Sequence, residues 1–452
     1  MNTSKKVFFL LIFGFIISLY YSYYNLSKFD KYDLDTTQHL MVRGDISNLW
    51  REAESFKKDF IQEKKSFFSS GLEYTRTYLP SKIIAIYSKL FNVSLFENYE
   101  KNIVSNGGKF LYLFFQSLFY YLSVAYFYIQ FRKFTKNEKL STCVILFLCL
   151  EPTIFQWHSS LWTESIYFTL QILLLSLIIK NNQNFKNIFL IGMIVSLMFY
   201  QKTVSIFLII PLIFYFLFLK IEKKYLKILI LITTYSFFIF FLGINNLKKT
   251  GIFYILPLQT KDAHYIHLLP QIFEKNNSEI HVDVFKNNKE KKWKKSNNYD
   301  ENNFQDIFEF KEFKQSIAIE EIKNNKLITI EIYINKIFHH ILLNPVQTYF
   351  WHEYNKNKYK IEYHLSQDKK NWLYVRILYT FLIFLIMFLG FIRIIKSSTD
   401  LKFYIFLIIC VIYYSLMLGW LGNTRYFMPS MIILSIFFGN GIYSILEFYK
   451  KK

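Results

Sequence analysis

Long apolar blocks separated by basic clusters dominate the chain, over 7–24, 109–130, 140–156, 163–180, 187–200, 203–219, 225–243, 373–395, 401–420 and 425–447. Most are longer than a core strand or a buried core helix uses, and they predict membrane-spanning helices. The fold class expected is an all-α polytopic membrane protein with about ten transmembrane helices. The blocks at 187–200 and 203–219 are short for a full crossing, which predicts tilting or a local break.

The basic clusters sort the connections. Lys5-Lys6, Arg132/Lys133/Lys136/Lys139, Lys180/Lys186, Lys220/Lys223/Lys224/Lys227, Arg393/Lys396/Lys402 and Lys450–Lys452 all fall on one side of this arrangement. The positive-inside rule makes that side cytoplasmic, with both termini on it, in an inner or plasma membrane. The first block resembles a signal peptide, but aromatic residues stand where a small-residue cleavage site belongs, so an uncleaved first span is expected.

The opposite face receives two large segments, 25–108 and 244–372, and tight turns near 157–162, 201–202 and 421–424. The expected organisation is a transmembrane catalytic module over 1–243, an extracytoplasmic segment over 244–372, and C-terminal transmembrane helices over 373–452. In the first segment Ile46, Leu49, Trp50, Ala53, Phe56, Phe60 and Ile61 follow helical spacing with charges opposite, the pattern of an interfacial helix. "LPSKIIAIYSKLF" (79–91) and "KLITIEIYINKIFHHILL" (326–343) predict two more. The run over 274–303 is polar and of low complexity, which predicts a mobile insertion. No internal repeat is visible.

Composition narrows the function classes. With 53% hydrophobic and 21% aromatic residues, the 452-residue chain does not read as two or three soluble domains. A net charge of +21 in a soluble protein would suggest nucleic acid. Here the lysines flank spans and face anionic membrane lipid, so no nucleic-acid partner is expected. Cys143, Cys149 and Cys410 lie inside apolar blocks and offer neither a disulfide framework nor metal-ligand spacing.

Polar residues at the non-cytoplasmic ends of spans are the candidates for chemistry. Asp45 precedes the first interfacial helix, Glu164 opens the fourth span, Lys202 separates the two short spans, and Arg425 opens the last beside Tyr426. A pocket there would combine acids that accept protons or bind metal with bases that hold phosphate. Each has a plainer reading: Asp45 as an N-cap, Glu164 on its helix dipole, Lys202 snorkelling to headgroups, Arg425 as an interfacial anchor. Asp33 and Asp35, a pair near the first span, are the alternative catalytic acids and could chelate a divalent cation. His264-x-x-His267 and His339-His340 lack a carboxylate at metal-protease spacing, and no phosphate-binding glycine loop or nucleophile elbow occurs.

In order, these elements resemble the glycosyltransferase C superfamily, especially the family 39-like relatives of protein mannosyltransferases and of lipid A aminoarabinose transferase. The family's first luminal acid opens an interfacial helix; Asp45 and Ala53 keep its offset, while Ile46 stands in place of its second acid and Leu49 in place of its aromatic residue. "YTRTYLPSKIIAIYSKLF" (74–91) is similar to its basic and proline element, with Arg76 in the basic position. "LEPTIFQWHSSLWTESIYF" (150–168) resembles its proline, short luminal turn and span-opening acid; "FYQKTVSIFLIIPLIF" (199–214) resembles its basic residue, apolar run and proline. "INNLKKTGIFYILPLQT" (244–260) and "NTRYFMPSMIILSI" (423–436) are similar to its later luminal entries.

The resemblance implies inverting transfer of a sugar from a polyprenyl-phosphate donor to a lipid, glycan or protein acceptor on the extracytoplasmic face. In that scheme Asp45 is the general base, Glu164 positions the acceptor or a metal, and Arg76, Lys202, Arg425 and Tyr426 hold the carrier phosphate. A divalent cation stays open because the second acid is missing. Two rivals remain: a transporter or flippase of a lipid-linked anion, whose broken helices and intramembrane charges would look similar, and a non-catalytic relative.

Overall fold

The computed structural model describes residues 3–29, 52–58, 78–94, 96–98, 103–104, 106–152, 154–155, 164–180, 183–276, 281–342, 367–397, 400–418 and 427–451. Within the described residues, each of the ten apolar blocks falls largely on helix. The chain runs through α1 (Thr3–Phe29), α2 (Tyr78–Leu90), α3 (Asn106–Thr135), α4 (Glu138–Leu150), α5 (Glu164–Ile178), α6 (Phe185–Gln201), α7 (Ile209–Phe218) and α8 (Lys224–Thr250). Then follow α9 (Leu269–Lys275), α10 (Val282–Ser296), α11 (Phe304–Asn324), α12 (Lys326–Leu342), α13 (Gln367–Ser397), α14 (Leu401–Leu418) and α15 (Met428–Lys451). A short antiparallel ribbon pairs Phe96–Asn98 with Ile103–Val104 before α3.

Among the described residues, five helices are long and apolar enough to cross a membrane: Lys5–Tyr23, Gly108–Thr135, Lys224–Thr250, Ile377–Lys396 and Met428–Lys450. The shorter apolar helices Glu164–Ile178, Phe185–Gln201, Thr203–Phe218 and Leu401–Met417 pack among them. A helix the length of α5 rises about 22 Å, less than the hydrocarbon thickness of about 30 Å. Helix ends in this bundle must therefore find partners inside the protein rather than in water. The protein is an integral membrane protein.

One contiguous apolar core joins α3–α8 with α13–α15. Outward faces are apolar too: Phe8, Phe9, Phe13, Ile16, Tyr20 and Tyr23 are exposed along α1, the reverse of a soluble helix and the expected face toward lipid. Glycines set the closest approaches. A Cβ on Gly390 of α13 would lie 1.9 Å from the Phe437 carbonyl oxygen, and one on Gly441 of α15 would lie 1.9 Å from that of Ile386. Gly439, two residues earlier on α15, meets the Val144 backbone of α4. Small residues thus let α15 touch two neighbours backbone to backbone, as expected where dispersion and not water drives helix association.

The first segment contributes a helical stretch over 52–58 and α2, with the remainder of its expected interfacial helix outside the described residues. Ala53 and Phe56 pack against Ile84, Ala85, Tyr87, Tyr112 and Leu113, so both lie on the start of α3. Leu79 reaches further, to Phe199 and Tyr200 at the end of α6. Between α8 and α12 the chain forms a small helical assembly. The polar run 274–303, expected to be a mobile insertion, carries α10. Val282 and Phe285 pack against the cluster of Tyr265, Leu269, Ile317 and Ala318, Phe285 lies 4.9 Å from Phe273, and Trp293 stacks 5.5 Å from Phe313. Apolar residues at 282, 285 and 293 follow helical spacing and give the lysine-rich helix one face to dock. α12 is the expected third amphipathic helix: Ile332 is buried beside Leu268 and Ile272 while Leu327, Ile330 and Ile334 are exposed.

Because the Gly441 contact is with backbone, no rotamer change makes room for a methyl group. Gly441→Ala is expected to destabilise the protein by about 1–3 kcal/mol, read as a lowered midpoint of thermal unfolding in detergent; an unchanged midpoint would refute the close crossing.

Candidate active site

Glu164 and Lys202 were proposed separately from sequence, and the structure joins them. Glu164 is the first residue of α5 and is fully buried, and Lys202 is 8% exposed. The Lys202 Nζ donates to Glu164 Oε1 at 2.7 Å. Thirty-eight residues separate the two in sequence, so the pair exists only through the packing of α5 against α6.

Lys202 marks the break between the two short spans. α6 ends there in extended geometry (φ −148°, ψ 122°), and a 3₁₀ turn, Thr203–Phe207, leads into α7. The Lys202 N–H still donates to Met198 O at 2.8 Å, and its carbonyl accepts from Ser205 N–H at 3.1 Å. The two short blocks are thus separated by an extended residue and a 3₁₀ turn. The ammonium also lies 5.9 Å from the Tyr167 ring, one turn beyond Glu164 on α5.

Polar contacts continue from the pair into the bundle. The Tyr167 hydroxyl meets Ser205 Oγ at 2.7 Å and the Tyr414 hydroxyl at 2.8 Å. Gln171, a further turn along α5, donates to the Pro429 carbonyl at 2.8 Å, tying α5 to the first turn of α15. One face of α5 therefore reads Glu164, Tyr167, Gln171, polar at helical spacing inside an otherwise apolar span.

Several buried charges at this end of the bundle escaped the sequence reading. Glu151 ends α4 at 3% exposure; one carboxylate oxygen accepts the Ile154 N–H at 2.7 Å and the other accepts the Tyr379 hydroxyl at 3.2 Å. Its signal was a lone acid closing an apolar run just before Pro152, the mirror image of Glu164 opening one. Lys82 on α2, Lys109 on α3 and Glu52 are also buried, and the Lys82 Nζ lies 5.5 Å from the Phe56 ring. Lys82 lies on the expected amphipathic stretch 79–91, and α2 docks on α3 and α6.

Asp33, Asp35, Asp45, Arg76, Arg425 and Tyr426 lie outside the described residues. Of the expected site, the structure therefore brings together Glu164 and Lys202. For a divalent cation the fit is poor at this pair: an ammonium already donates to the Glu164 carboxylate, and among the described residues no group of three His, Cys, Asp or Glu side chains could hold a metal. His264 and His267 lie on the π-helical turn His264–Leu268; burial holds both below the usual histidine value, and His264 Nδ1 is 3.1 Å from Gln315 Nε2.

Removing one partner of a buried ion pair is far more costly than removing both. Lys202→Met is expected to lower stability by about 3–5 kcal/mol, and adding Glu164→Gln to recover much of it. Denaturant unfolding of the single and double variants measures this; equal losses in both would show that the pair is not a unit.

No protein-family model and no curated protein sequence matches the chain. Solved structures of the oligosaccharyltransferase from Archaeoglobus fulgidus do resemble it in fold. The complex of AglB with an inhibitory peptide and a dolichol-phosphate superposes with a TM-score of 0.51 at 10% identity, covering 100% of this chain and 52% of that one. The complex with Zn and sulfate gives 0.50 at 10% identity, covering 97% and 49%; the apo form gives 0.50 at 11%, covering 98% and 51%. This chain thus spans about half the length of those proteins. The likeness extends over nearly all of it, and agrees with the resemblance seen in the order of its motifs. The chain shares its membrane-helical fold with those oligosaccharyltransferase structures.

Proposed function

We propose that this protein is a membrane glycosyltransferase that takes a sugar from a polyprenyl-phosphate donor and transfers it, with inversion, to an acceptor on the extracytoplasmic face. The observation that carries the reading is the buried Glu164–Lys202 pair, set at a helix break in a fold shared with oligosaccharyltransferases. One of those neighbours was solved with a dolichol-phosphate and a peptide. Their presence supports a lipid-phosphate donor for this chain, with the acceptor drawn from lipid, glycan or protein.

In this scheme Lys202 holds the carrier phosphate and steadies the charge it gains as the glycosidic bond breaks. Glu164 fixes the ammonium in place by accepting its hydrogen bond. That refines its expected role: the carboxylate acts on the lysine and does not itself hold the acceptor. Arg76, Arg425 and Tyr426 would complete the anion site, and such preorganised donors are worth about 3–4 kcal/mol each to a developing oxyanion. Asp45 takes the proton of the acceptor nucleophile, with Asp33 or Asp35 as the alternative base. No step is routed through a metal.

The break at Lys202 also suits a flippase, because discontinuous helices around an intramembrane charge are a transporter device. Purified protein in liposomes, given a labelled polyprenyl-phosphate sugar, separates the two. Transfer to an acceptor extract that is lost in Asp45→Asn and falls about 10²–10³-fold in Lys202→Met supports the glycosyltransferase. Transbilayer movement of the intact donor without transfer would establish the flippase. Full activity in Asp45→Asn would move the base to Asp33 or Asp35.

A further inference from the structure

The turn that carries Lys202 is held by tyrosine hydroxyls from three other helices. Interrupting a helix inside a bilayer exposes N–H and C=O groups that have no water to bond, so each needs an internal partner. Tyr413 of α14 supplies two: its hydroxyl donates to the Val204 carbonyl and accepts the Phe207 N–H at 3.2 Å. Tyr235 of α8 donates to the Ile206 carbonyl at 2.5 Å. Tyr167 of α5 holds Ser205 Oγ, and its own hydroxyl is held by Tyr414. Every residue from Val204 to Phe207 is thus fixed by a phenol.

Phenylalanine would fill the same space, and the chain uses it freely, with 51 Phe against 35 Tyr. At these positions the hydroxyl is therefore the working part. Two features connect the arrangement to Lys202. Its carbonyl closes the turn by accepting Ser205 N–H, so the turn's position sets that of the lysine. Tyr167 sits one turn from Glu164 on α5, so one helix grips both the turn and the carboxylate that receives the ammonium.

We propose that Tyr167, Tyr235 and Tyr413 are positioning residues: a three-helix phenol clamp that holds the 203–207 turn rigid and aims Lys202 at the phosphate of the lipid-linked substrate. Its phosphate-directed role rests on the glycosyltransferase reading; the rigidity of the turn does not.

The experiment uses the full chain in nanodiscs with Thr203→Cys as reporter, a substitution that leaves the Glu164–Lys202 pair intact. The three native cysteines are buried and give little background. Adding Tyr235→Phe or Tyr413→Phe is expected to speed labelling of the reporter by a water-soluble maleimide about five- to tenfold, the effect of losing roughly one hydrogen bond. Tyr120→Phe, whose hydroxyl donates to Leu148 O away from the turn, should leave the rate unchanged. Without the reporter, the same two variants should raise the KM for the polyprenyl-phosphate donor about fivefold. Loss of folded protein would lower only the amount of active enzyme and leave KM alone. Unchanged labelling in both variants overturns the clamp, and faster labelling with unchanged donor KM overturns its aiming role. Faster labelling in a protein that transfers no sugar upholds the clamp and defeats the glycosyltransferase reading instead.

Discussion

Within a bilayer a backbone amide or carbonyl has no solvent to turn to, and the core of this protein is arranged around one place where the helical ladder is broken. Ending α6 at Lys202 and beginning α7 at Ile209 frees several groups, and the surrounding helices carry hydroxyls to meet them. Such a break is stable only if the partners come from elements fixed by the rest of the fold. Here they come from α5, α8 and α14. The same helices that close the hydrophobic core therefore determine where one lysine stands.

Most of the architecture was legible because spans declare themselves by length and apolarity, which are local properties. Within the described residues all ten blocks lie largely on helix, and the two short ones signalled the break. The helix over 282–296 was missed because lysine and asparagine density masked the spacing of Val282, Phe285 and Trp293. The site was legible only in part. Glu164 and Lys202 each stood out as an ionisable residue beside an apolar run, but their distance of 2.7 Å depends on how α5 and α6 pack. The tyrosines were invisible for another reason. In a chain that is 21% aromatic, an aromatic residue in a span carries almost no information, and which of them bond to the turn is a tertiary fact.

Pairing changes what Glu164 can do. A carboxylate that accepts from a buried ammonium is committed: its charge offsets the desolvation of the lysine, and it is poorly placed to abstract a proton as well. A general base needs a carboxylate free to take up a proton, which favours an acid from the first segment over Glu164. On the proposed function the base therefore comes from the first segment and the cation from the break, while at 10–11% identity the structural likeness speaks to the fold alone.

Charge balance at this end of the bundle adds a further constraint. Among the described residues the bundle and the first segment bury three acids, Glu52, Glu151 and Glu164, and three lysines, Lys82, Lys109 and Lys202, while the fourth buried acid, Asp262, pairs with Lys311 in the segment after α8. Their formal charges cancel, which is the low-energy state for ionised groups removed from water. A neutral set has no standing attraction for a phosphate. On the proposed function, Arg76 and Arg425 would supply the excess positive charge. Guanidinium groups suit that task better than further lysines would, because they are less strongly hydrated and remain charged when partly buried. A substrate phosphate would thus complete an arrangement whose fixed part is electrically closed, and Lys202 would serve to orient it more than to attract it.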